Sequence, residues 1–356
     1  MNKSYFVRFP IKDQILFIKR LGTLISAGVP ILRALEILRD QMATMSFGMG
    51  GIFKTLIADT KNGQYLHVSL ARYPNIFGEF TVNIIRVGET SGTLSSNLAY
   101  LADELKKKQA LRRKVMSSMI YPIFIVFATL GVTGLLTFFV FPKILPIFKS
   151  LNFELPLSTR ILIGVSTFFL NSWVWIIIIA VSLVMAFILL MRFVPTFRRL
   201  IHRVILTIPI FGSLAQSYQM SLMCRTLGLL LKSGVMIMEA ASISARTTLN
   251  LVYRRELKIM EKKIIQGGRL SEHMYTNKSL FPPIVAHMLS VGEESGNLSD
   301  TLLFLGDMYE KEVEELTTNL TNLIEPVLMV FMGVLVGFVA ISIITPIYEV
   351  TQHIQP

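Results

Sequence analysis

The chain has 356 residues, of which 52% are hydrophobic and 16% charged, and its formal net charge is +12. Its mean hydropathy of +0.57 excludes an ordinary soluble protein, because so few polar residues could not cover a water-facing surface. The apolar residues are concentrated in three windows that separate stretches of ordinary globular composition. We therefore predict a membrane protein in which soluble segments alternate with a few spans.

Residues 1–118 form the first predicted segment, which is soluble. No cleavable signal is predicted at its start, since no cationic patch precedes an apolar run. Its apolar side chains recur at helical spacing, in two stripes: Phe17, Leu21, Leu24 and Ile25, and Leu94, Leu98, Leu101 and Leu105. Such stripes are typical of amphipathic helices, and alternating strand patterns are hard to find. The segment is therefore predicted to be an all-α bundle of helical hairpins.

Three windows are long and apolar enough to cross a bilayer as helices, namely residues 119–141, 161–191 and 323–348. The first carries no charged side chain and would extend about 30 Å. The second is longer than one crossing needs. Either it tilts and protrudes, or its first third, before Trp173 and Trp175, lies at an interface.

The segments between the spans follow from these windows. They are a loop at 142–160, a second soluble segment at 192–322 and a short tail at 349–356. Cationic residues precede the first span and follow the second: Lys106, Lys107, Lys108, Arg112, Arg113 and Lys114, and Arg192, Arg198, Arg199 and Arg203. Because cationic flanks stay cytoplasmic, both soluble segments and the N-terminus are predicted to be cytoplasmic, and the loop and the tail external.

An octapeptide occurs twice in the chain. "VGETSGTL" occupies 87–94 and "VGEESGNL" occupies 291–298, so the second copy stands 204 positions after the first. The same offset aligns the proline at the start of the first span, Pro122, with Pro326, and "SAGVPILRALE" has a weaker match in "KSGVMIMEAAS" at an offset of 206. These matches predict a tandem duplication of a soluble segment followed by a span, with the second span returning the chain for the second copy.

The octapeptide is interpreted as a helical turn. Its motif positions in the two copies are Gly88, Glu89, Ser91, Gly92 and Leu94, and Gly292, Glu293, Ser295, Gly296 and Leu298. The second glycine suits the left-handed position that ends a helix, the first allows a close helix crossing, and the leucine packs the turn into the core. The glutamate lies near a helix C-terminus, which disfavours a carboxylate. We expect it to find a cationic partner, either within the segment or on another protein.

Two further features of the copies are candidates for function. Pro122 and Pro326 are predicted to kink helices that pass from the soluble segments into the bilayer. At matching positions, Lys106–Lys108 faces Glu310 and Glu312. We hypothesise that these opposite charges pair, within one chain or between subunits. The alternative is a basic flank resting on anionic lipid and a solvated acidic face.

The sequence offers little support for catalysis. The five histidines are scattered without a second ligand at metal-binding spacing, and "GMGG" at 48–51 lacks the lysine of a phosphate-binding loop. The lone Cys224 is interpreted as a small buried apolar side chain. No enzyme activity, metal, cofactor or direct nucleic-acid partner is predicted.

In its ordered set of motifs the chain resembles the inner-membrane platform proteins of type II secretion and type IV pilus machines, the GspF/PilC family. The resemblance is carried by "SAGVPILRALE", the paired octapeptides, "YP" and "EP" at the start of the first and third spans, "FPKILPIF" and "LPLSTRIL". It implies a non-enzymatic scaffold in the cytoplasmic membrane. The partners it implies are an assembly ATPase, other platform proteins and pilin-like subunits, and we also expect self-association and contact with membrane lipids.

The resemblance leads to a hypothesis of mechanism. The first soluble segment, 1–118, is basic, with 17 Lys and Arg against 8 Asp and Glu. An ATPase bound to it would shift the platform, and the helices at Pro122 and Pro326 would pass the movement to the spans. The alternative is a small transporter or channel built from an internal repeat, which requires polar residues along a path through the spans. The spans contain few such groups.

Overall fold

The computed structural model describes residues 9–42, 49–140, 143 and 157–354, and every regular element in these ranges is helical. The first half contains α1 (Ile11–Ser26), α2 (Ile31–Met42), α3 (Met49–Lys61), α4 (Leu66–Ala71), α5 (Glu79–Ser91), α6 (Leu94–Ser118) and α7 (Ile120–Leu135), which a π-helical turn follows (Leu136–Val140). The second half contains α8 (Leu157–Phe193), α9 (Pro195–Thr207), α10 (Phe211–Lys232), α11 (Ile237–Thr247), α12 (Leu251–Ile265), α13 (Leu270–Thr276), α14 (Pro283–Glu294) and α15 (Leu298–Ile354). The predicted all-α class is confirmed for these residues.

The chain divides into two compact units. The first, the helical unit, is built from residues 1–113 and 199–315 and so contains parts of both predicted soluble segments. The second, the spanning unit, is built from 114–198 and 316–356. Most of the predicted external loop at 142–160 lies outside the described residues.

The core of the helical unit follows the apolar stripes of the sequence. Phe17 and Leu21 of α1 and Leu98 of α6 are fully buried. Phe17 also makes an edge-to-face contact with Phe53, at 5.7 Å between ring centroids. In the second half Tyr253 and Phe281 make a similar contact at 5.8 Å. Burial of these side chains, each of which stabilises the fold by about 1.5–3 kcal/mol, explains why the short helices α2–α5 and α11–α14 form.

Glycines in α1 and α10 allow close helix crossings. A Cβ added at Gly22 would lie 3.1 Å from the Cβ of Leu98 on α6, and one added at Gly228 would lie 3.0 Å from the Cβ of Leu302 on α15. Because most real Cβ contacts are longer, a larger residue would push these helices apart. The two crossings occur at corresponding places in the two halves.

The spanning unit contains helices long and apolar enough to cross a membrane. The described residues include three of them. The first joins α6 and α7 (Leu94–Leu135), the second is the later part of α8 (Asn171–Phe193), and the third is α15 as far as Ser342 (Leu298–Ser342). The first and third are longer than one crossing needs, and their charged N-terminal parts belong to the helical unit. The chain is therefore a multi-pass membrane protein, and its crossing segments lie in the spanning unit.

Polar contacts join the helices of the spanning unit. Thr159 of α8 donates through Oγ1 to the carbonyl oxygen of Ser342, at 2.8 Å, and Ser166 donates to the carbonyl oxygen of Thr137, at 3.0 Å. The second contact satisfies a carbonyl in the π-helical turn after α7, where the regular hydrogen-bond ladder changes. In contrast, the segment 171–193 exposes large apolar side chains such as Trp175 and Val181, as a lipid-facing helix should.

A sharp turn joins α9 to α10. The two helices are apolar enough to span together, but they meet at 109°, and α10 is largely buried in the helical unit. Ile210 has φ +69°, and the Phe211 N–H donates to the carbonyl oxygen of Pro209 at 2.8 Å. This is a γ-turn with a β-branched residue in its strained central position.

Candidate functional site

The first octapeptide forms the turn between α5 and α6. Gly92 has φ +73° and ends α5 in the left-handed conformation, as the sequence predicts. A Cβ added at Gly88 would lie 2.8 Å from the Cα of Leu94 and 3.2 Å from the Cβ of Asn97. The first glycine therefore lets the backbone of α6 approach α5 closely, and Leu94 is buried beside it.

The second octapeptide forms the corresponding turn between α14 and α15. Gly296 also has φ +73°, and a Cβ added at Gly292 would lie 2.8 Å from Oγ1 of Thr301. Leu298 is partly buried and packs against the hydrophobic core. Ser91 donates to the carbonyl oxygen of Val87 at 2.7 Å, whereas Ser295 lies 3.5 Å from the carbonyl oxygen of Gly292. The serines thus add local hydrogen bonds of unequal quality to the two turns.

The glutamate of the first motif binds the start of a neighbouring helix. The Glu89 carboxylate accepts from the backbone N–H groups of Leu66, at 2.7 Å, and His67, at 2.9 Å. It also lies 2.6 Å from Nδ1 of His67, and its side chain is only 4% exposed. The carboxylate satisfies backbone donors that begin α4 and lies at the positive end of that helix.

The glutamate of the second motif repeats this contact. Glu293 accepts from the N–H of Leu270 at 2.6 Å and from Oγ of Ser271 at 2.5 Å, and it lies 3.4 Å from the N–H of Ser271. In each half the acceptor stands 23 positions after the leucine that it caps. This partner is not evident in the sequence, because the capped helices have only six and seven residues.

A buried arginine joins the two halves of the helical unit. Arg225 of α10, whose side chain is 5% exposed, lies 3.3 Å from Glu104 of α6. It also pairs with Asp307 and Glu310 of α15. We call these four residues the Arg225 cluster. Burial raises the pKa of Glu104, and Arg225 opposes that shift, so the carboxylate depends on the guanidinium for its charge.

The backbone of α15 makes room for this arginine. A Cβ added at Gly306 would lie 2.5 Å from Cγ of Arg225 and 3.2 Å from its backbone nitrogen. The carbonyl oxygen of Gly306 accepts from Oγ of Ser221 at 3.1 Å. Arg225 and Glu104 are not among the sites predicted from the sequence. A signal was present, since an arginine and a glycine in apolar helical faces each require an explanation.

Two more charged pairs cross between α5 and α11. Arg86 pairs with Glu239, and Nε of Arg246 lies 2.6 Å from Glu79. Both pairs are partly exposed, so each stabilises the unit by only about 0–1 kcal/mol. Together with the Arg225 cluster they make the interface between the two halves rich in charge.

The predicted pairing of Lys106–Lys108 with Glu310 and Glu312 can be compared with the contacts of these residues. One residue of each stretch contacts the Arg225 cluster or belongs to it. Lys107 lies 3.4 Å from Asp103 and 3.7 Å from Asp307, and Glu310 pairs with Arg225. Lys106, with Asp103 and others, lines a cavity of about 270 Å³. The structure gives no ion pair that joins Lys106, Lys107 or Lys108 directly to Glu310 or Glu312 among the residues it describes. Direct pairing, within a chain or between subunits, stays a prediction.

The two prolines occupy different helical contexts. The α-helical run is interrupted at Met119, and Pro122 follows near the start of α7. Proline has no N–H to donate to the carbonyl of residue 118, where α6 ends. Pro326 instead lies inside α15, which is assigned as one helix from Leu298 to Ile354. That these prolines kink the helices stays a prediction.

Metal-binding and nucleophilic groups are sparse. The described part of the chain contains no group of three His, Cys, Asp or Glu side chains that could hold a metal ion. Cys224 is fully buried, and burial raises the pKa of its thiol to about 12. A thiol that stays protonated is a poor nucleophile, which agrees with its interpretation as an apolar core residue.

Comparison with known proteins relates this architecture to a family. The family model for the type II secretion system (T2SS) protein F matches residues 17–142 and 223–346. The chain belongs to this family. The matched ranges include both octapeptides, the Arg225 cluster and both prolines, and the family is not a known family of enzymes.

Individual relatives extend over nearly the whole chain. The type IV pilus assembly protein PilC of Thermus thermophilus is 36% identical over 343 residues, which cover 96% of this chain and 83% of the relative. The PilC of Pseudomonas aeruginosa is 30% identical over 95% of this chain and 89% of the relative. The type II secretion system protein F of the same organism is 30% identical over 96% and 83%. The resemblance to the GspF/PilC family is thus confirmed.

Proposed function

We propose that this protein is the inner-membrane platform of a type IV pilus or type II secretion machine. The observation that carries the proposal is family membership over both halves of a chain that has three helices able to cross a membrane. Support also comes from relatives named for pilus assembly and for type II secretion. In this role it couples a cytoplasmic assembly ATPase to the insertion or extraction of pilin-like subunits.

The proposed platform consists of two tandem copies of one helical bundle, both on the cytoplasmic side. Supporting this, α4, α5 and α6 begin at residues 66, 79 and 94, and α13, α14 and α15 begin 204 positions later. The two turns also share a glycine at φ +73° and a glutamate that caps the short helix. The N-terminus is cytoplasmic and the C-terminus external in this arrangement.

The two copies act as one head in the proposed mechanism. Residues of both belong to the same compact unit, and the Arg225 cluster and the α5–α11 pairs join them. A force that the ATPase applies to one copy therefore reaches the other through the buried Arg225–Glu104 pair and the partly exposed α5–α11 pairs. From there α6 and α15 continue along the chain toward the crossing segments.

Site-specific photo-cross-linking in the native host tests this function. A photoreactive residue at Tyr65 or Val68, both exposed on or next to α4, should give an adduct with the assembly ATPase. The same residue at Trp175, exposed in a crossing segment, is the control and should give none with a cytoplasmic protein. If exposed positions throughout the first copy gave no ATPase adduct in an assembled machine, both the coupling and the proposed orientation would be wrong.

A further inference from the structure

We propose that a cavity between α9 and α12 binds the phosphate headgroup of an anionic membrane lipid, while the apolar face of α9 lies in the membrane interface. The inference requires only that the chain is inserted in a membrane. It does not depend on a role in pilus assembly or secretion.

The cavity has a volume of about 280 Å³ and is lined mainly by cations. One cationic side chain comes from α9 and four from α12: Arg199, Arg254, Arg255, Lys258 and Lys262. Leu251 and Ile259 supply aliphatic surface. Five positive charges around one small cavity repel each other, so an anion bound among them would relieve that repulsion.

Helical spacing explains why α12 presents these cations together. Positions 251, 254, 255, 258, 259 and 262 fall on one face of a helix. The opposite face anchors the helix, because Tyr253, Leu257 and Met260 are fully buried. The cationic side chains are therefore carried by a fixed backbone.

Among the described residues, no acidic side chain forms an ion pair with a cation of the cavity, although Glu261 stands next to Lys262 in α12. Glu256 is directed to the other side of α12, where it accepts from Nδ2 of Asn277 at 2.9 Å and lies 3.2 Å from His273. Arg254 donates through Nε to the carbonyl oxygen of Thr248 at 2.8 Å. Arg199, Arg255, Lys258 and Lys262 have no acidic partner within the part of the chain that the structure describes.

The α9 helix has the properties of a helix that lies at a membrane surface. None of its side chains is buried, and Leu200, Val204 and Ile205 are among its exposed apolar residues. The same helix also carries the exposed cations Arg199 and Arg203. Although Leu206 packs against the core, a basic amphipathic helix with exposed apolar side chains such as these is the form that binds the boundary between headgroups and acyl chains.

Covalent connection keeps this helix within reach of the bilayer. The crossing helix α8 ends at Phe193 and α9 begins at Pro195, with only Val194 between them. Arg199 follows Phe193 by six residues, which extend at most about 20 Å and about 9 Å when helical. The headgroup layer of one leaflet is about 5–8 Å thick, so the cavity lies within reach of lipid headgroups.

The chemistry of the lining fits a phospholipid headgroup. Guanidinium groups bind phosphate oxygens in a bidentate manner, and lysine adds a mobile positive charge. Leu251 and Ile259 would contact the glycerol and first methylene groups, which a free phosphate lacks. Basic pockets next to membrane spans are suited to anionic headgroups for the same reason.

Lipid binding to the purified full-length protein tests the proposal. In mixed micelles of a nonionic detergent, the protein should bind fluorescent phosphatidylglycerol saturably, and unlabelled phosphatidylglycerol should compete while phosphatidylcholine should not. The double variant Arg255→Gln/Lys258→Gln should weaken this binding by about tenfold or more. Both side chains are exposed, so the fold should be kept, which circular dichroism checks.

The matched control is the double variant Lys54→Gln/Lys278→Gln, which removes the same charge from two exposed positions outside the cavity. Its affinity for phosphatidylglycerol should stay within about twofold of the unchanged protein. An equal loss in the control, or equal competition by phosphatidylcholine, would overturn the proposal. So would saturation by inorganic phosphate alone, or binding of an acidic partner protein but not of lipid.

Discussion

At the scale of single residues, Glu89 and Glu293 are candidates for partner binding by sequence, but in the structure they stabilise the fold by capping short helices. A carboxylate near the C-terminus of α5 or α14 is unfavourable for that helix. It is favourable for the short helix whose first N–H groups it binds. Glu89 and Glu293 are therefore stabilising, because each lies in one helix and caps the N-terminus of another.

Replacement of Glu293 by glutamine should destabilise the helical unit by about 1–2 kcal/mol, because a neutral amide offers one acceptor oxygen instead of two and loses the attraction to the helix N-terminus. The adjacent Glu294→Gln is the control. Glu294 is exposed and lies 3.4 Å from Arg269, so its loss should cost under about 1 kcal/mol. Thermal unfolding of the two variants in the same detergent makes the comparison, and equal shifts would contradict the capping role.

At the scale of elements, close helix crossings depend on glycine at particular places. Gly88 and Gly292 stand at the crossings of α5 with α6 and of α14 with α15, but the atoms they face are different. Gly88 faces the Cα of Leu94, whereas Gly292 faces the side-chain oxygen of Thr301. A side-chain hydroxyl can rotate away more easily than a backbone atom can shift.

Alanine substitutions should reveal this difference. Gly88→Ala should destabilise the helical unit by about 1–3 kcal/mol, as overpacking does, and Gly292→Ala should cost less. Gly51→Ala, in α3 with nothing within 4 Å of the added Cβ, should be neutral or slightly stabilising because alanine favours the helix. Limited proteolysis and thermal unfolding measure the relative stabilities of the three variants. A Gly88→Ala variant as stable as Gly51→Ala would show that α5 and α6 do not pack this closely.

At the scale of the whole molecule, the Arg225 cluster is the buried polar connection between the two halves of the helical unit. A buried ion pair is costly to form and still more costly to break, because the remaining charge has no water around it. The exposed pairs at the α5–α11 interface do not have this property. The stability of the contact between the two halves should therefore depend on Arg225 far more than on Arg246.

Arg225→Met should destabilise the helical unit by about 3–5 kcal/mol, because it removes the ion-pair partner of the buried Glu104 and leaves only the weaker attraction of Lys107 and Lys108. The double variant Arg225→Met/Glu104→Met should recover much of this loss, since the buried carboxylate is also removed. Arg246→Gln, which breaks an exposed pair across the same interface, should cost under about 1 kcal/mol. Hydrogen exchange at α6 and α10 and thermal unfolding report the effect. Additive losses in the double variant would mean that the two residues are not coupled.

Much of the local architecture could be predicted from the sequence. The apolar windows gave the membrane character, and the stripes gave the helical class and core residues such as Phe17 and Leu98. The left-handed conformation of Gly92 and Gly296 and the close crossing at Gly88 also follow from sequence. These features depend on residues near each other in the chain, so hydrophobic periodicity and glycine position are enough to determine them.

Contacts between distant residues needed the tertiary structure. Nothing in the order of residues specifies that Glu89 caps α4, or that Arg225 lies among Glu104, Asp307 and Glu310. Such contacts depend on which helix faces meet after folding. The sequence by itself determined a multi-pass helical membrane protein with a repeated motif, because length, hydropathy and periodicity act locally. Only the tertiary structure decided which charged residues of the two halves form ion pairs. A buried charge needs a partner, and folding determines which side chains lie beside it.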